Sequence, residues 1–200
     1  MGTRPPHARL PLHTRPSPHA RGLRITGGSL QGRIIPVPPG RIRPAMDMMR
    51  ESIFAVLGDL SGASFLDLFS GSGIIALEAA SRGAAYLEAV ETDPGKRKTL
   101  IGNAALSPVR IHCRFMAVEL YIKRARQPFD YIFCDPPFAY QFKSELIDSI
   151  GTSPLMNETS LLMIHRPASE GPRKQAGGEI LVLKETRTYG SSAVDFFLKE

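Results

Sequence analysis

From residue 64 onward, short apolar segments alternate along the chain with segments of helical periodicity. The spacing predicts strands at Ser64–Phe69, Ala84–Val90, Val109–Phe115, Phe129–Cys134 and Ser160–His165, and a closing pair at Glu179–Lys184 and Ser192–Leu198. Helices are predicted between them at Ile74–Arg82, Pro94–Leu106, Ala117–Arg126 and Lys143–Ile150. Such alternation is typical of an α/β fold, a doubly wound and mainly parallel sheet with helices on both faces. Ligands of these sheets bind beyond the carboxyl ends of the strands, so a functional motif should directly follow a strand.

The region before residue 64 has a different character. Residues 1–21 contain scattered Pro, Arg and His without apolar periodicity, which predicts a disordered basic tail. Two short strands, Leu23–Thr26 and Gln31–Ile35, are expected to form a β-hairpin, and a helix follows from about Met46 to Gly58. We therefore expect a tail (1–21), an N-terminal extension of hairpin and helix (22–60) and an α/β domain (61–200).

The composition excludes several classes of protein. With 42% hydrophobic and 22% charged residues the chain is expected to be globular, and no apolar run is long enough to span a bilayer. The N-terminus lacks the apolar core of a secretory signal, and two cysteines are too few for a disulfide framework and lack metal-ligand spacing. No metal site is expected, and a reducing cytoplasmic setting is the default.

The net charge of +6 is concentrated at one end of the chain. Residues 1–50 contain nine Arg and one acid, Asp47, for +8, whereas residues 51–200 sum to −2. This asymmetry favours a polyanionic partner at the N-terminal end. A solvated basic tail without a specific partner explains the charge alone equally well.

A glycine-rich turn follows the first predicted strand of the α/β domain. Gly71, Gly73 and Ala76 match G-x-G-x-x-[GA], with Phe69 and Ser72 in the same turn, and such a turn lets backbone N–H groups approach a ligand at a helix N-terminus. Glu91, followed by Thr92, ends the next strand 20 residues after Gly71, where an acid can accept bonds from ribose hydroxyls. The motif therefore indicates a nucleoside-containing ligand.

Asp67 lies inside an otherwise apolar strand, four residues before Gly71. A buried carboxylate is costly unless it has a partner, and the pyrophosphate of a nicotinamide cofactor is an anion that does not provide one. S-adenosylmethionine carries ammonium and sulfonium charges and fits this acid better than NAD does. The alternative is that Asp67 only holds its own loop.

The sequence Asp135-Pro136-Pro137-Phe138 directly follows the fourth predicted strand of the domain. The lone pair of an exocyclic amino group is delocalised into the aromatic ring, and two acceptors, the Asp135 side chain and the Pro136 carbonyl, would favour a pyramidal nitrogen. The prolines remove backbone donors and fix φ, and Phe138 offers a stacking face for a base. An Asp-capped proline turn is the structural alternative, but amino-group methylation accounts for all four residues together.

The chain resembles the RsmD family of bacterial rRNA methyltransferases over residues 23 to about 198. The resemblance is carried by the two motifs and by four upstream segments, Leu23–Gly28, Gly32-Arg33, Arg43–Asp47 and Arg50–Phe54. The resemblance implies a Rossmann-like methyltransferase domain with an N-terminal β-hairpin that binds RNA. It implies S-adenosylmethionine as methyl donor and N2 of a loop guanine in small-subunit (16S) rRNA as target, and we expect a monomer acting on free rRNA or on an assembling 30S particle.

Five arginines on or beside the hairpin and the first helix are then candidate phosphate ligands, although each can equally be a solvated surface charge. They are Arg24, Arg33, Arg41, Arg43 and Arg50.

The sequence departs from the family pattern at three positions. Phe115-Met116-Ala117 stands where the family has Gly-Asp, so Met116 and Ala117 are expected to hold adenine through apolar and backbone contacts. Ala45 replaces a Thr, and His165 replaces an acid that is common at the end of the fifth strand. Because of these departures, a non-catalytic RNA-binding factor of ribosome assembly remains an alternative function. Within the enzyme class, the alternative is an amino-methyltransferase that acts on DNA adenine or on another RNA.

Overall fold

The computed structural model describes residues 22–37, 44–172, 175–176 and 180–200; the predicted tail, residues 1–21, lies outside them. The strands are β1 (Leu23–Arg24), β2 (Ile34–Ile35), β3 (Ser64–Leu68), β4 (Tyr86–Glu91), β5 (Ile111–Phe115), β6 (Tyr131–Cys134), β7 (Leu161–Pro167), β8 (Gln175–Ala176), β9 (Leu181–Tyr189) and β10 (Ser192–Lys199). The helices are α1 (Pro44–Leu57), α2 (Ile74–Ser81), α3 (Arg97–Ala104), α4 (Val118–Arg124) and α5 (Lys143–Thr152). No helix in this part of the chain is both long and apolar enough to cross a bilayer.

The main sheet has eight strands in the order β5-β4-β3-β6-β7-β10-β9-β8. The strands from β5 to β7 are parallel, and β10 joins β7 in antiparallel register. The chain moves outward from β3 to β5 and then returns to place β6 on the other side of β3, so the topological switch point lies between β3 and β6. The predicted doubly wound, mainly parallel sheet is confirmed.

Helices cover both faces of this sheet because the side chains of β3 alternate between two cores. Phe65 belongs to a cluster that also contains apolar residues of α1, α2 and α3, whereas Leu66 and Leu68 belong to a cluster with residues of α4 and α5. The central strands are therefore held from two sides, which fixes the loops that follow them.

The predicted N-terminal hairpin is present, with Leu23 opposite Ile35 and Arg24 opposite Ile34. Its connection is longer than predicted, because residues 28–30 form a 3-10 helix and the second strand begins only at Ile34.

The fully buried carboxylate of Glu78 on α2 anchors this hairpin to the main domain. It accepts hydrogen bonds from the Thr26 backbone N–H at 2.8 Å and the Thr26 hydroxyl at 2.9 Å, and it forms an ion pair with Arg82. The Ser81 hydroxyl adds a bond of 2.6 Å to the Gly27 carbonyl. These polar contacts orient the hairpin on the α2 side of the sheet.

Candidate active site

The two sequence motifs meet at the switch point of the sheet. Leu68, the last residue of β3, is the register partner of Cys134, the last residue of β6, so the loops Phe69–Gly73 and Asp135–Phe138 leave the sheet side by side. The Asp135 N–H donates to the Leu68 carbonyl at 3.2 Å, which continues the ladder by one residue and ties the loops together.

A cleft of about 800 Å³ opens above these strand ends. It is lined by Phe69, Gly71, Glu91, Thr92, Asp93, Lys96, Ala117, Val118, Glu119, Asp135, Pro136, Pro137, Phe138, Tyr140, His165 and Ser192. A smaller inner cavity of about 130 Å³ adjoins it, and Phe69, Gly71 and Asp135 line both spaces. Arg50, Asp67, Ser70 and Ser72 are among the other residues of the inner cavity. Asp135 thus lies where the two spaces meet.

The glycine-rich loop is held in a strained conformation. Phe69 has φ of 61°, and among the described residues it is the non-glycine residue with positive φ. A bulky side chain is unfavourable in this region, and such strain tends to be retained where a ligand is bound. Gly73 begins α2 with φ of 81°, and a Cβ there would approach Leu100 to 2.7 Å. Gly73 shapes the turn without lining either cavity.

Asp67 is buried at the base of this loop. Its Oδ2 accepts bonds from the Ser70 hydroxyl at 2.6 Å and the Ala76 N–H at 3.3 Å, while no described residue donates to Oδ1. Burial raises the pKa of Asp67 to about 7, and the charges of Asp135 and Glu91 act in the same direction. Asp67 therefore holds its own loop, as the structural alternative requires, and also presents a carboxyl group to the inner cavity.

Glu91 at the end of β4 connects this loop to the next one. Its Oε2 accepts from the Gly71 N–H at 2.8 Å, its Oε1 accepts from the Asp93 N–H at 2.8 Å, and Lys96 Nζ lies 3.4 Å from Oε2. The carboxylate lines the cleft, where the second lone pairs of its oxygens can accept ligand hydroxyls.

The expectation for Met116 is wrong. Its side chain packs with the core that contains α4 and lines a separate cavity beside Glu88 and Arg114, whereas Ala117 and Val118 line the cleft. The reason is that β5 ends at Phe115 and α4 begins at Val118, so the short turn between them directs successive side chains to different sides.

The expectation that Arg50 contacts RNA phosphate is also wrong, because its side chain is only 2% exposed. It forms an ion pair with Asp47 at 2.9 Å, approaches Glu78 at 3.5 Å and donates to the Arg24 carbonyl at 3.0 Å. Its Nη1 is buried without a hydrogen-bond partner among the described residues, and the side chain lines the inner cavity. Arg50 is thus a buried cation close to Asp67.

The other candidate arginines divide into two groups. Arg24 and Arg33 are exposed on the hairpin, and Arg24 donates to the Gly32 carbonyl at 3.1 Å. Arg41 and Arg43 lie outside the described residues.

The Asp135–Phe138 loop presents acceptors and an aromatic ring to the cleft. No described residue donates to the Pro136 carbonyl or to Oδ2 of Asp135, whereas Oδ1 lies 2.6 Å from Nδ1 of His165. Lys143 Nζ holds the loop from outside by donating to the Phe138 carbonyl at 2.9 Å. The loop therefore offers, beside Phe138, two acceptors that no residue in the described ranges occupies.

Tyr140 is a residue of this cleft that the sequence motifs did not identify. Tyr140 lies in the cleft, its ring meets that of Phe69 edge-on at 5.6 Å, and its hydroxyl donates to Glu119 on α4. Phe142 does not line the cleft but a second cavity, to which Tyr140 also contributes. Tyr140 and Phe142 are both aromatic residues of the same loop, so the sequence alone does not show which of them lines the cleft. That depends on contacts with segments that are distant in the chain.

Comparisons with known proteins agree with this architecture. A family model described as "Conserved hypothetical protein 95" matches residues 23–198. The "Ribosomal RNA small subunit methyltransferase D" of Escherichia coli (strain K12) is 32% identical over 153 residues, which are 74% of this chain and 77% of that protein. The solved structure "Putative methyltransferase yhhF from Escherichia coli" has a TM-score of 0.78 at 28% identity and covers 90% of this chain and 98% of its own.

A likeness in fold alone extends further. The structure described as "SMU.776, a putative methyltransferase complexed with SAH" has a TM-score of 0.66 at 18% identity, covering 84% of this chain and 54% of its own.

Proposed function

We propose a function for this chain on the premise that it belongs to the RsmD family of bacterial rRNA methyltransferases and has the Rossmann-like class I methyltransferase fold. The function is the S-adenosylmethionine-dependent methylation of the exocyclic N2 amino group of a guanine in small-subunit rRNA. The observation that carries it is the position of Asp135, whose carboxylate lines both the cleft and the inner cavity.

The residues around the inner cavity fit the donor. Its amino-acid end carries one ammonium and one carboxylate, and the cavity offers Asp67 for the first and the buried, partly unpaired Arg50 for the second. Glu91 lies where ribose hydroxyls can donate to it, with Thr92 and Ala117 beside it in the cleft. When bound, S-adenosylmethionine supplies an electrophilic methyl group on a positively charged sulfur, and the acids Glu91, Asp93, Glu119 and Asp135 favour that charge in the cleft.

The chain's own residues then orient the amino group. Asp135 Oδ2 and the Pro136 carbonyl each accept a hydrogen bond from one N–H of the amino group. These bonds favour a pyramidal nitrogen, whose lone pair is no longer delocalised into the ring and is free to attack the methyl group. Pro136 and Pro137 keep the carbonyl direction fixed because their φ angles are restricted. Phe138 stacks on the base, a contact worth about 1–3 kcal/mol. No strong base is needed, because the proton becomes acidic once the nitrogen carries the methyl group, so catalysis is mainly positioning.

RNA binding is assigned to the exposed arginines of the hairpin. Arg24 and Arg33 are accessible to phosphates, and Arg41 and Arg43 follow in sequence on the same N-terminal extension. The target base would be turned out of its loop into the cleft. Because rRNA is made and assembled in the cytoplasm, we place the protein there. We further propose that it acts as a monomer and that its substrate is free rRNA or an assembling particle.

Replacement of Asp135 tests the chemistry. Asp135→Ala should lower methyl transfer to small-subunit rRNA from cells that lack this protein by roughly a hundredfold or more. RNA binding should remain, because phosphate contacts supply most of its affinity. Asp59→Ala removes an exposed acid that lines neither the cleft nor the inner cavity, and it serves as the control. Full transfer by Asp135→Ala would contradict the mechanism, and mass spectrometry of the product would identify the methylated base.

Charge reversal tests the RNA surface. Arg24→Glu with Arg33→Glu should weaken RNA binding and reduce the slope of log K against log salt by about 0.7 for each lost contact to single-stranded RNA. Lys184→Glu, on β9, is the matched control. An unchanged slope would make both arginines solvated surface charges. Failure of the wild-type protein to bind the donor in calorimetry would favour the non-catalytic assembly factor.

A further inference from the structure

His165 contacts the proposed amine-binding carboxylate directly. It lies on β7, one residue after Ile164, which is the register partner of Cys134, so the sheet itself brings His165 alongside Asp135. Nδ1 of His165 lies 2.6 Å from Oδ1 of Asp135. The histidine side chain is 4% exposed and the Asp135 side chain 30%, so the histidine approaches the carboxylate from the protein side and leaves it open to the cleft.

The contact fixes which ring nitrogen carries the proton. An ionised carboxylate can only accept, so Nδ1 must be the donor. Nε2 is buried and has no hydrogen-bond partner among the described residues. A bare nitrogen is buried at lower cost than an N–H that finds no acceptor. The hydrogen-bond geometry therefore favours the tautomer that carries its proton on Nδ1.

The ring is also held in place by its surroundings. The Phe138 ring meets it edge-on at a centroid distance of 5.3 Å and an interplanar angle of 62°. The backbone of His165 pairs with Val194 of β10 on the side opposite β6. A donor that is fixed by packing and strand pairing restricts the rotation of the carboxylate it contacts.

We propose that His165 is a positioning residue for methyl transfer, an inference that rests on the proposed function. Its Nδ1–H donates a hydrogen bond to Oδ1 of Asp135, and this bond orients Oδ2 of the same carboxylate toward the substrate amino group. Without this bond the carboxylate could rotate or take up a second, unproductive contact with the amine. The rate of the chemical step then falls while binding of RNA and donor persists.

Two variants of nearly equal shape separate the hydrogen bond from packing. His165→Asn keeps an N–H near the position of Nδ1, whereas His165→Leu fills similar space without a donor. We expect His165→Leu to lower kcat about tenfold to a hundredfold with KM for both substrates changed less than about threefold, and His165→Asn to recover most of kcat. His112→Leu, a substitution of a half-buried histidine on β5, should leave both constants unchanged.

The assay uses tritiated S-adenosylmethionine and small-subunit rRNA from cells that lack this protein. Wild-type protein that transfers no methyl group would overturn the proposed function. Active wild type with an equally active His165→Leu variant, or with Asn and Leu variants that are equally impaired, would overturn the role of His165 alone.

A direct measurement does not depend on turnover. The nitrogen NMR shifts of His165 in the wild-type protein should show Nδ1 protonated and Nε2 bare, and the Nδ1 proton should exchange faster in Asp135→Ala. Protonation at Nε2 in the wild type would overturn the inference even if the variants fold poorly.

Discussion

The raised pKa of Asp67 makes donor binding depend on pH in a range where the donor itself does not titrate. Burial, followed by the charges of Asp135 and Glu91, raises this pKa to about 7, against the bonds from Ser70 and Ala76. The donor's ammonium requires the ionised carboxylate. An α-amino group has a pKa of about 7.7–8.0, so below pH 7 the donor stays mostly protonated and the change in affinity comes from the protein.

The size of the effect follows from this pKa. The apparent Kd contains the factor 1 + 10^(pKa − pH), which is about 33 at pH 5.5 and about 2 at pH 7. Donor binding should therefore be about sixteenfold weaker at pH 5.5, a difference of about 1.6 kcal/mol. Binding must also release about 0.97 proton at pH 5.5 and about 0.5 at pH 7.

Calorimetry at several pH values, in two buffers with different ionisation enthalpies, measures both quantities. Asp67→Asn should bind the donor more weakly at pH 7 and lose the pH dependence, whereas Asp59→Asn should keep the wild-type profile. A wild-type Kd that is constant between pH 5.5 and pH 7 would refute the assignment of Asp67 to the ammonium. So would a Kd of the Asp67→Asn variant that is still about sixteenfold larger at pH 5.5 than at pH 7.

Three further predictions concern stability. Gly28→Ala should destabilise the protein in urea unfolding, because a Cβ there would lie 1.9 Å from the Ser81 carbonyl oxygen. Gly102→Ala, which places a methyl group in open space on α3, should be neutral or stabilising by up to about 1 kcal/mol. Equal effects of the two substitutions would contradict the packing argument. Glu78→Gln should cost about 3 kcal/mol and speed proteolytic cleavage of the hairpin, because Arg82 loses its carboxylate partner and Arg50 keeps only Asp47. An unchanged midpoint and cleavage rate would remove the anchoring role of Glu78. Asp67→Asn should raise the free energy of unfolding of the donor-free protein at pH 8 but not at pH 3.5. The reason is that a buried acid whose pKa is about 7 rather than 3.8 costs about 4 kcal/mol of stability when it is ionised above pH 7. Equal gains in stability at both pH values would argue for a packing effect instead.

The sequence predicted the positions of the strands and the place of the chemistry because both depend on local patterns. Apolar alternation located the strands from β3 to β7 and the closing pair β9–β10 to within a few residues, although β9 runs on to Tyr189 and the two-residue strand β8 was not predicted. Asp135 and the glycine turn were placed together because parallel strands end at one edge of a sheet. The domain boundary at residue 60 and the roles of the individual site residues remain predictions.

Two errors have physical causes that can be stated. Arg50 lies three residues before Ile53 and four before Phe54, so helical spacing already placed it on the buried face of α1, but its charge suggested the surface. Met116 lies in a two-residue turn, where a shift of one position reverses the direction of a side chain. The anchoring of the hairpin by Glu78 has no sequence signal, because its partner Thr26 is 52 residues away.

Three carboxylates converge on the strand ends, and their mutual repulsion is a reason why donor and substrate sites should act together. The charges of Asp135 and Glu91 both raise the pKa of Asp67, so the three groups interact through the protein before any ligand binds. A cation placed among them lowers the cost of keeping Asp67 ionised, and the same cation lies beside the carboxylate that must hold the amino group. Donor binding should then strengthen RNA binding, and by linkage RNA should strengthen donor binding by the same factor. Calorimetry of each ligand in the presence of the other tests this coupling, and identical affinities with and without the second ligand would show that the carboxylates act independently.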